Sequence, residues 1–182
     1  MRRSSEVVFA TTNANKYAEA RGILGGFGIR ARRLRRTLAE PQSPSLRVIA
    51  AAKARLAFSI CRRPVVAEDA GLFVDSLGGF PGPYSSYIAS TIGNAGILRL
   101  VGRDRSARFV SIAAYCDGRT ARTFTGVVRG SISRREGGGG WGFDPIFRAD
   151  GAGPYSDAGA KARSSHRVLA LGRFARWYLR NL

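Results

Sequence analysis

Apolar and polar positions fall into short blocks along this chain, and the period of the blocks changes. Glu6 to Ala10 (EVVFA) is rich in β-branched and aromatic residues and predicts a buried strand. The polar stretch Thr11 to Asn15 predicts a turn, and Lys16 to Leu24 a helix stopped by Gly25, Gly26 and Gly28. Ile29 to Leu34 alternates apolar and basic residues, the pattern of an exposed strand, and Pro41 to Pro44 reads as a loop. Leu46 to Ile60 is an alanine-rich amphipathic helix whose polar positions include Arg47, Lys53 and Arg55. Val65 to Ala67 predicts a second buried strand that ends in Glu68-Asp69. A turn-rich loop (Gly78 to Pro83) and a helix (Ile92 to Val101) follow. Phe109 to Tyr115 and Thr120 to Val128 then flank Asp117-Gly118, a hairpin signal. After the glycine run Gly137 to Gly140, Ser164 to Leu182 predicts a last helix with Leu169, Phe174, Trp177 and Tyr178 as its apolar positions. Strand–helix alternation followed by a hairpin, with no repeat or long linker, predicts one α/β domain over residues 1–182, built on a mixed central sheet with flanking helices.

Composition narrows the chemistry. The apolar runs all fall short of the ~18 residues that a membrane span needs. The basic start Met1-Arg2-Arg3 leads into only four apolar residues, Val7 to Ala10, too few for a secretory signal, so a cytoplasmic location without membrane contact is expected. Cys61 and Cys116 lack metal-ligand spacing and are expected to be buried thiols in a reducing compartment. A single histidine excludes a His-rich zinc site, so any metal must be held by carboxylates, which favours Mg²⁺ or Mn²⁺. The formal charge is +18. A polyanionic partner would explain it, and a nucleic-acid-binding module, with Arg30 to Arg36 as the densest run, is the alternative that is not favoured. The preferred explanation is a compositional bias: of 30 cationic residues only Lys16, Lys53 and Lys161 are lysines. Where lysine persists against such a bias, the site needs a compact ammonium.

Four constellations carry candidate chemistry. Thr11-Thr12-Asn13-Ala14-Asn15-Lys16 follows a strand and opens a helix, a place where backbone amides bind anions; the alternative is an ordinary N-cap at Asn13 or Asn15. Glu68-Asp69, at the expected carboxyl end of a strand, would repel each other without a nearby cation, and Glu40 could complete a carboxylate metal site; the alternative is a solvated loop pair. Trp141-Gly142-Phe143-Asp144-Pro145 suits a base-stacking platform or, alternatively, a hydrophobic anchor that returns a loop to the core. Lys161 and Ser165-His166-Arg167 offer fixed donors to a base edge; the alternative is Ser165 as a helix cap and Arg167 on a solvated face.

Taken in order, these segments resemble the inosine-triphosphate pyrophosphatase (dITP/XTP pyrophosphatase) family. Thr11 to Lys16 is similar to its S/T-x-N-x-x-K start, and Glu40-Pro41-Gln42 with Lys53-Ala54 to its E-I-Q…KA segment. Glu68 to Leu72 with Gly79 to Ser85 is similar to E-D-S/T-G-L…GFPGPYS, Trp141 to Phe147 to F-G-Y/W-D-P-I-F, and Lys161 to Arg167 to K-N-x-x-S-H-R. The chain departs at Pro41, Ala70, Trp141, Phe143 and Ala162, none of which removes a carboxylate or a lysine. The resemblance implies two lobes around a substrate cleft, a homodimer, and Mg²⁺-dependent hydrolysis of ITP, dITP and XTP to monophosphate and pyrophosphate. It implies Glu40 and Asp69 as metal ligands with Glu68 in support, Asp69 as activator of the attacking water, and Lys16 and Lys53 as phosphate partners. Asn13 and the Thr11–Lys16 backbone would cradle phosphates. Ala70, Trp141, Gly142, Phe143 and Asp144 would line the nucleotide, with Trp141 stacking on the base. Lys161, His166 and Arg167 would donate to the C6 oxygen and disfavour adenine.

Overall fold

The computed structural model describes residues 5–182; Met1 to Ser4, the basic start weighed above, lie outside the described residues. The order of elements is β1 (Glu6–Ala10), α1 (Ala14–Gly25), β2 (Arg30–Leu34), α2 (Leu46–Cys61), β3 (Val65–Val74), α3 (Ser85–Ser90), α4 (Gly93–Leu100), β4 (Ser106–Cys116), β5 (Ala121–Ile132), β6 (Phe147–Ala149), β7 (Gly153–Pro154), α5 (Ala158–Ser164) and α6 (His166–Arg180). The strands form one seven-stranded sheet in the order β2-β1-β3-β4-β5-β6-β7. β1 is parallel to β2 and β3, whereas β6 is antiparallel to β5 and β7, so the sheet is mixed as expected. The expected single domain divides into two compact units, each assembled from separate stretches of chain.

Unit 1 comprises 1–69, 111–126 and 167–182. Its core joins alternate residues Val7 and Phe9 of β1 to Ala20 and Leu24 of α1 and to Ala170, Leu171, Phe174, Ala175 and Tyr178 of α6. Successive strand residues point to opposite faces. The intervening Val8 and Ala10 are buried outside that core, and α2 buries its own Ile49, Ala50, Ala54 and Ala57 outside it as well. Helices therefore cover both faces of the sheet in this unit. The hairpin turn forms at Asp117, whose Oδ1 accepts from the amides of Arg119 (3.0 Å) and Thr120 (2.6 Å).

Unit 2 comprises 70–110 and 127–166, and its core is more aromatic: Phe109, Phe143, Phe147 and Tyr155 pack with Leu72, Ile97 and Ile146. Gly71 is required here because a Cβ at that position would lie 2.2 Å from the carbonyl oxygen of Gly82. Ser85 fixes this close approach, taking the Leu72 amide at 2.8 Å and donating to the Gly82 oxygen at 2.7 Å. The segment from Gly79 to Ser85 is thus a packing device against β3, and the turn-rich loop expected there contains a short helical turn at Gly82–Tyr84.

Two expectations are corrected. β3 does not end at Glu68-Asp69 but continues to Val74, because Leu72 and Val74 enter the core of unit 2. The last helix, expected over Ser164 to Leu182, spans His166–Arg180, but the stretch before it, where no element was expected, forms α5 (Ala158–Ser164), separated from α6 by the extended backbone of Ser165 (φ −66°, ψ 158°).

Candidate active site

Glu68 and Asp69 are neighbours inside a strand, so their side chains leave on opposite faces. On the α1/α6 face, the Glu68 carboxylate is fully buried and receives Lys16 Nζ at 3.0 Å, Arg167 Nη2 at 3.2 Å and the Ser111 hydroxyl at 2.7 Å. Arg167 also pairs with Glu19 of α1. Burial would raise the pKa of Glu68, but Arg167 and Lys16, with the Ser111 hydrogen bond, hold it well below the usual carboxylate range.

On the α2 face, Lys53 Nζ lies 2.7 Å from Glu40 and 3.7 Å from Asp69. Burial pushes the Asp69 carboxyl up to about 6; Lys16 and Lys53 oppose this, and Glu68 and Glu40 add to it. Burial acts on Lys53 in the direction of the neutral amine, but Asp69 and Glu40 hold its pKa above the ordinary lysine value. Two adjacent carboxylates are thereby driven in opposite directions. One is a permanent anion, and the other is poised to exchange a proton near neutrality, the usual separation between a structural charge and a base. The expected gathering of Glu40, Glu68 and Asp69 into one metal cluster is not what the described residues build: no group of three or more His, Cys, Asp and Glu comes together there. Glu40 and Asp69 converge on one cation, and Glu68 serves another set.

The Thr11–Lys16 segment is exposed except at Thr11 and Lys16, which are half-buried. Asn13 is the N-cap of α1, its Oδ1 accepting from the Lys16 amide at 3.0 Å, so the capping alternative holds for this side chain. The amides of Ala14 and Asn15 open the helix, where no preceding carbonyl can reach them. Capping and anion binding are compatible, because the cap satisfies one amide and leaves others facing outward. Arg33 of β2 braces the segment, donating from Nε to the Thr11 carbonyl at 3.1 Å and from Nη2 to that of Thr12. Its guanidinium lies 5.3 Å from the centre of the Tyr17 ring, and the Tyr17 hydroxyl donates to the Ala31 carbonyl at 3.2 Å.

In unit 2, Asp144 is the hub. Its Oδ2 takes Lys161 Nζ at 2.6 Å and the Trp141 amide at 2.9 Å, and all three groups lie within one loop–helix region. Lys161 Nζ stands 4.6 Å from the centre of the half-buried Trp141 ring. Gly140 (φ 80°) permits this turn, since a Cβ there would meet that of Asp144 at 2.5 Å. Gly142 is exposed, whereas Phe143 is buried in the core, the anchor alternative for that aromatic. His166 is buried and stacked on Phe109, with ring centroids 4.5 Å apart. Arg167, expected either at a base edge or on a solvated face, is only 1 % exposed and joins the carboxylates of unit 1. Ala70 is half-buried on β3 directly after Asp69.

Ser111, Glu19, Arg33 and Tyr17 were not singled out from sequence. Ser111 had a signal, a lone hydroxyl in the otherwise apolar run Ile112 to Tyr115 and its flank. Glu19 follows Lys16 by three residues, one helical turn. Arg33 had none, because it sits among six arginines between positions 30 and 47.

A family model described as the Ham1 family matches residues 7–177. The dITP/XTP pyrophosphatase of Methanopyrus kandleri is 45% identical, with 97% of this chain and 98% of that protein covered. That of Saccharolobus solfataricus is 40% identical, with 96% and 94% covered. Among solved structures, a HAM1 protein from Coxiella burnetii superposes with a TM-score of 0.83 at 26% identity, covering 97% of this chain and 99% of that one. The Ham1 protein of Staphylococcus aureus gives 0.83 at 25% identity, covering 98% and 100%.

Proposed function

Because the chain belongs to the Ham1 family, we infer that it hydrolyses deaminated purine nucleoside triphosphates (ITP, dITP and XTP) to the monophosphate and pyrophosphate, removing them from the nucleotide pool. The observation that carries the chemistry is the opposed pair on β3: a carboxylate pushed up to about 6 beside Lys53, back to back with a permanently charged one beside Lys16.

Asp69 is the group we assign as general base, taking a proton from the water that attacks the α-phosphorus. The P–O bond to the departing pyrophosphate breaks as the new P–O bond forms, and Lys16 and Lys53 offset the charge on the leaving group. The amides of the Thr11–Lys16 segment and the side chain of Asn13 receive phosphate oxygens. Glu40 and Asp69 already converge on one cation, the Lys53 ammonium, and offer only oxygen donors. They fit a hard divalent ion, Mg²⁺ or Mn²⁺, with Glu68 supporting from the other face through Lys16. Such an ion supplies Lewis-acid neutralisation of the triphosphate. Base recognition falls to Trp141, by stacking, and to Lys161 as donor to the C6 oxygen, both oriented by Asp144. His166 supports that region from its buried position, whereas Arg167 serves the carboxylates of unit 1. We further propose that the protein works as a cytoplasmic homodimer.

The test is pyrophosphate release from ITP, XTP, GTP and ATP, with Mg²⁺ and with EDTA, alongside the solution mass by light scattering. Metal-dependent release favouring ITP and XTP is the expected result. No release from any of the four would reduce the site to a relic of the fold, and release that survives EDTA would remove the metal from the scheme.

A further inference from the structure

The positive charge is unevenly placed. Among the described residues, unit 1 contains 18 of the 28 cationic residues but only 6 of the 12 acidic ones. Each of those six acids is already engaged. Glu6 pairs with Arg30, Arg32 and Arg63, Glu19 with Arg167, Glu40 and Asp69 with Lys53, and Glu68 with Lys16 and Arg167. Asp117 is held by its own turn. The run Arg30 to Arg36, the densest in the sequence, is therefore partly neutralised: two of its members clamp Glu6, and Arg33 braces the Thr11–Thr12 backbone.

One concentration of unpaired charge lies on the face that α1 and α6 present. α6 contains no acid, and its exposed residues Arg173, Arg176 and Arg180 form one stripe at spacings of three and four, with Arg21 exposed on α1. Like charges at this spacing weaken a helix by a few tenths of a kcal/mol per pair, about 0.2–0.5, a cost that the Arg173 hydrogen bond to the Thr125 carbonyl offsets in part and that a bound anion would relieve. Two half-buried rings border it, each beneath a guanidinium. Arg176 lies 5.9 Å from the centre of Phe27, and Arg122 of β5 lies 5.4 Å from the centre of Trp177.

A row of guanidiniums one helical turn apart, about 5.4 Å, beside partly exposed aromatic faces combines backbone neutralisation with base stacking. We propose that this α1/α6 face of unit 1 binds single-stranded nucleic acid, its phosphates on Arg173, Arg176 and Arg180 and its bases against Phe27 and Trp177. A single strand is chosen over a duplex because only unstacked bases can meet those rings. This inference is independent of the hydrolytic reading.

The experiment is titration of a fluorescent oligo(dT) at several salt concentrations, with ITP turnover measured on the same preparations. Arg176→Gln/Arg180→Gln removes two exposed guanidiniums and keeps the site residues. Its expected effects are about tenfold weaker binding at low salt, a log–log salt slope shallower by about 1.4, and unchanged turnover. Arg35→Gln/Arg36→Gln removes the same charge from exposed positions away from the stripe and should leave affinity within about twofold. Equal losses in both variants would overturn the assignment to this face, since net charge alone would then account for binding. No binding by the parent protein at low salt, or equal affinity for a duplex of the same length, would overturn the proposal itself.

Discussion

Both units bury a carboxylate against a lysine, and they use the pair differently. In unit 1, Glu68 and Asp69 share their surroundings with two lysines, Arg167 and two further acids, and Asp69 is left with a proton affinity near neutrality. In unit 2, Asp144 and Lys161 meet at 2.6 Å, and the same carboxylate oxygen holds the Trp141 amide. The first arrangement is crowded with competing charges, as the proposed base and metal site requires. The second is a bracket that fixes one ring and one ammonium. The contrast is one of balance: at Asp69 burial outweighs Lys16 and Lys53, whereas Asp144 has one ammonium in direct contact.

The largest effect that would separate the two pairs comes from Asp69→Asn. Turnover of saturating ITP should fall about 10³-fold, within the range for loss of a general base. Near-normal turnover with unchanged metal dependence would remove Asp69 from its role. Asp69 is held near 6 without metal, and a bound divalent ion would lower that value, so turnover should fall only once the pH drops below it. The stability effect has the opposite sign. A carboxyl whose pKa is raised by folding stabilises the fold below its unfolded value, and that contribution is lost as pH rises through 6. Asp69→Asn, always neutral, should therefore raise the melting temperature of the metal-free protein at pH 7.

Asp144→Asn tests the bracket. It strips a buried ammonium of its counter-charge and should cost about 3 kcal/mol in urea unfolding. An unchanged midpoint combined with slow turnover would make Asp144 a second reactive carboxylate and erase the contrast. The smallest effect is expected from Arg33→Ala. Loss of its two backbone hydrogen bonds should raise KM for ITP about fivefold, the equivalent of roughly 1 kcal/mol, with little change in kcat. A change confined to kcat would show that the brace does not act on phosphate binding.

Much of this was legible in the sequence. The strand-turn-helix at Thr11 to Lys16, the hairpin at Asp117-Gly118 and the mixed sheet follow from local periodicity and turn chemistry, which short segments record well. All three lysines lie in ion pairs with Glu40, Glu68, Asp69 or Asp144, consistent with a need for compact ammonium groups in an arginine-rich chain. What was hidden depended on long-range placement. The strand seemed to end at Glu68 because two adjacent acids rarely continue into a core; only the cations waiting on both faces make that continuation tolerable. Arg167 looked like a surface or base-edge group because its partners, Glu19 and Glu68, lie 148 and 99 positions away in sequence.

The two tryptophans fall one to each compact unit: Trp177 among Tyr115 and Phe124 in unit 1, and Trp141 beside Lys161 in unit 2. The protein thus contains its own pair of fluorescent reporters. Replacing either one with phenylalanine leaves a single emitter, so that the melting of each unit can be followed separately by light alone, and the proposed stacking of a base on Trp141 can be tested by its emission as nucleotide is added.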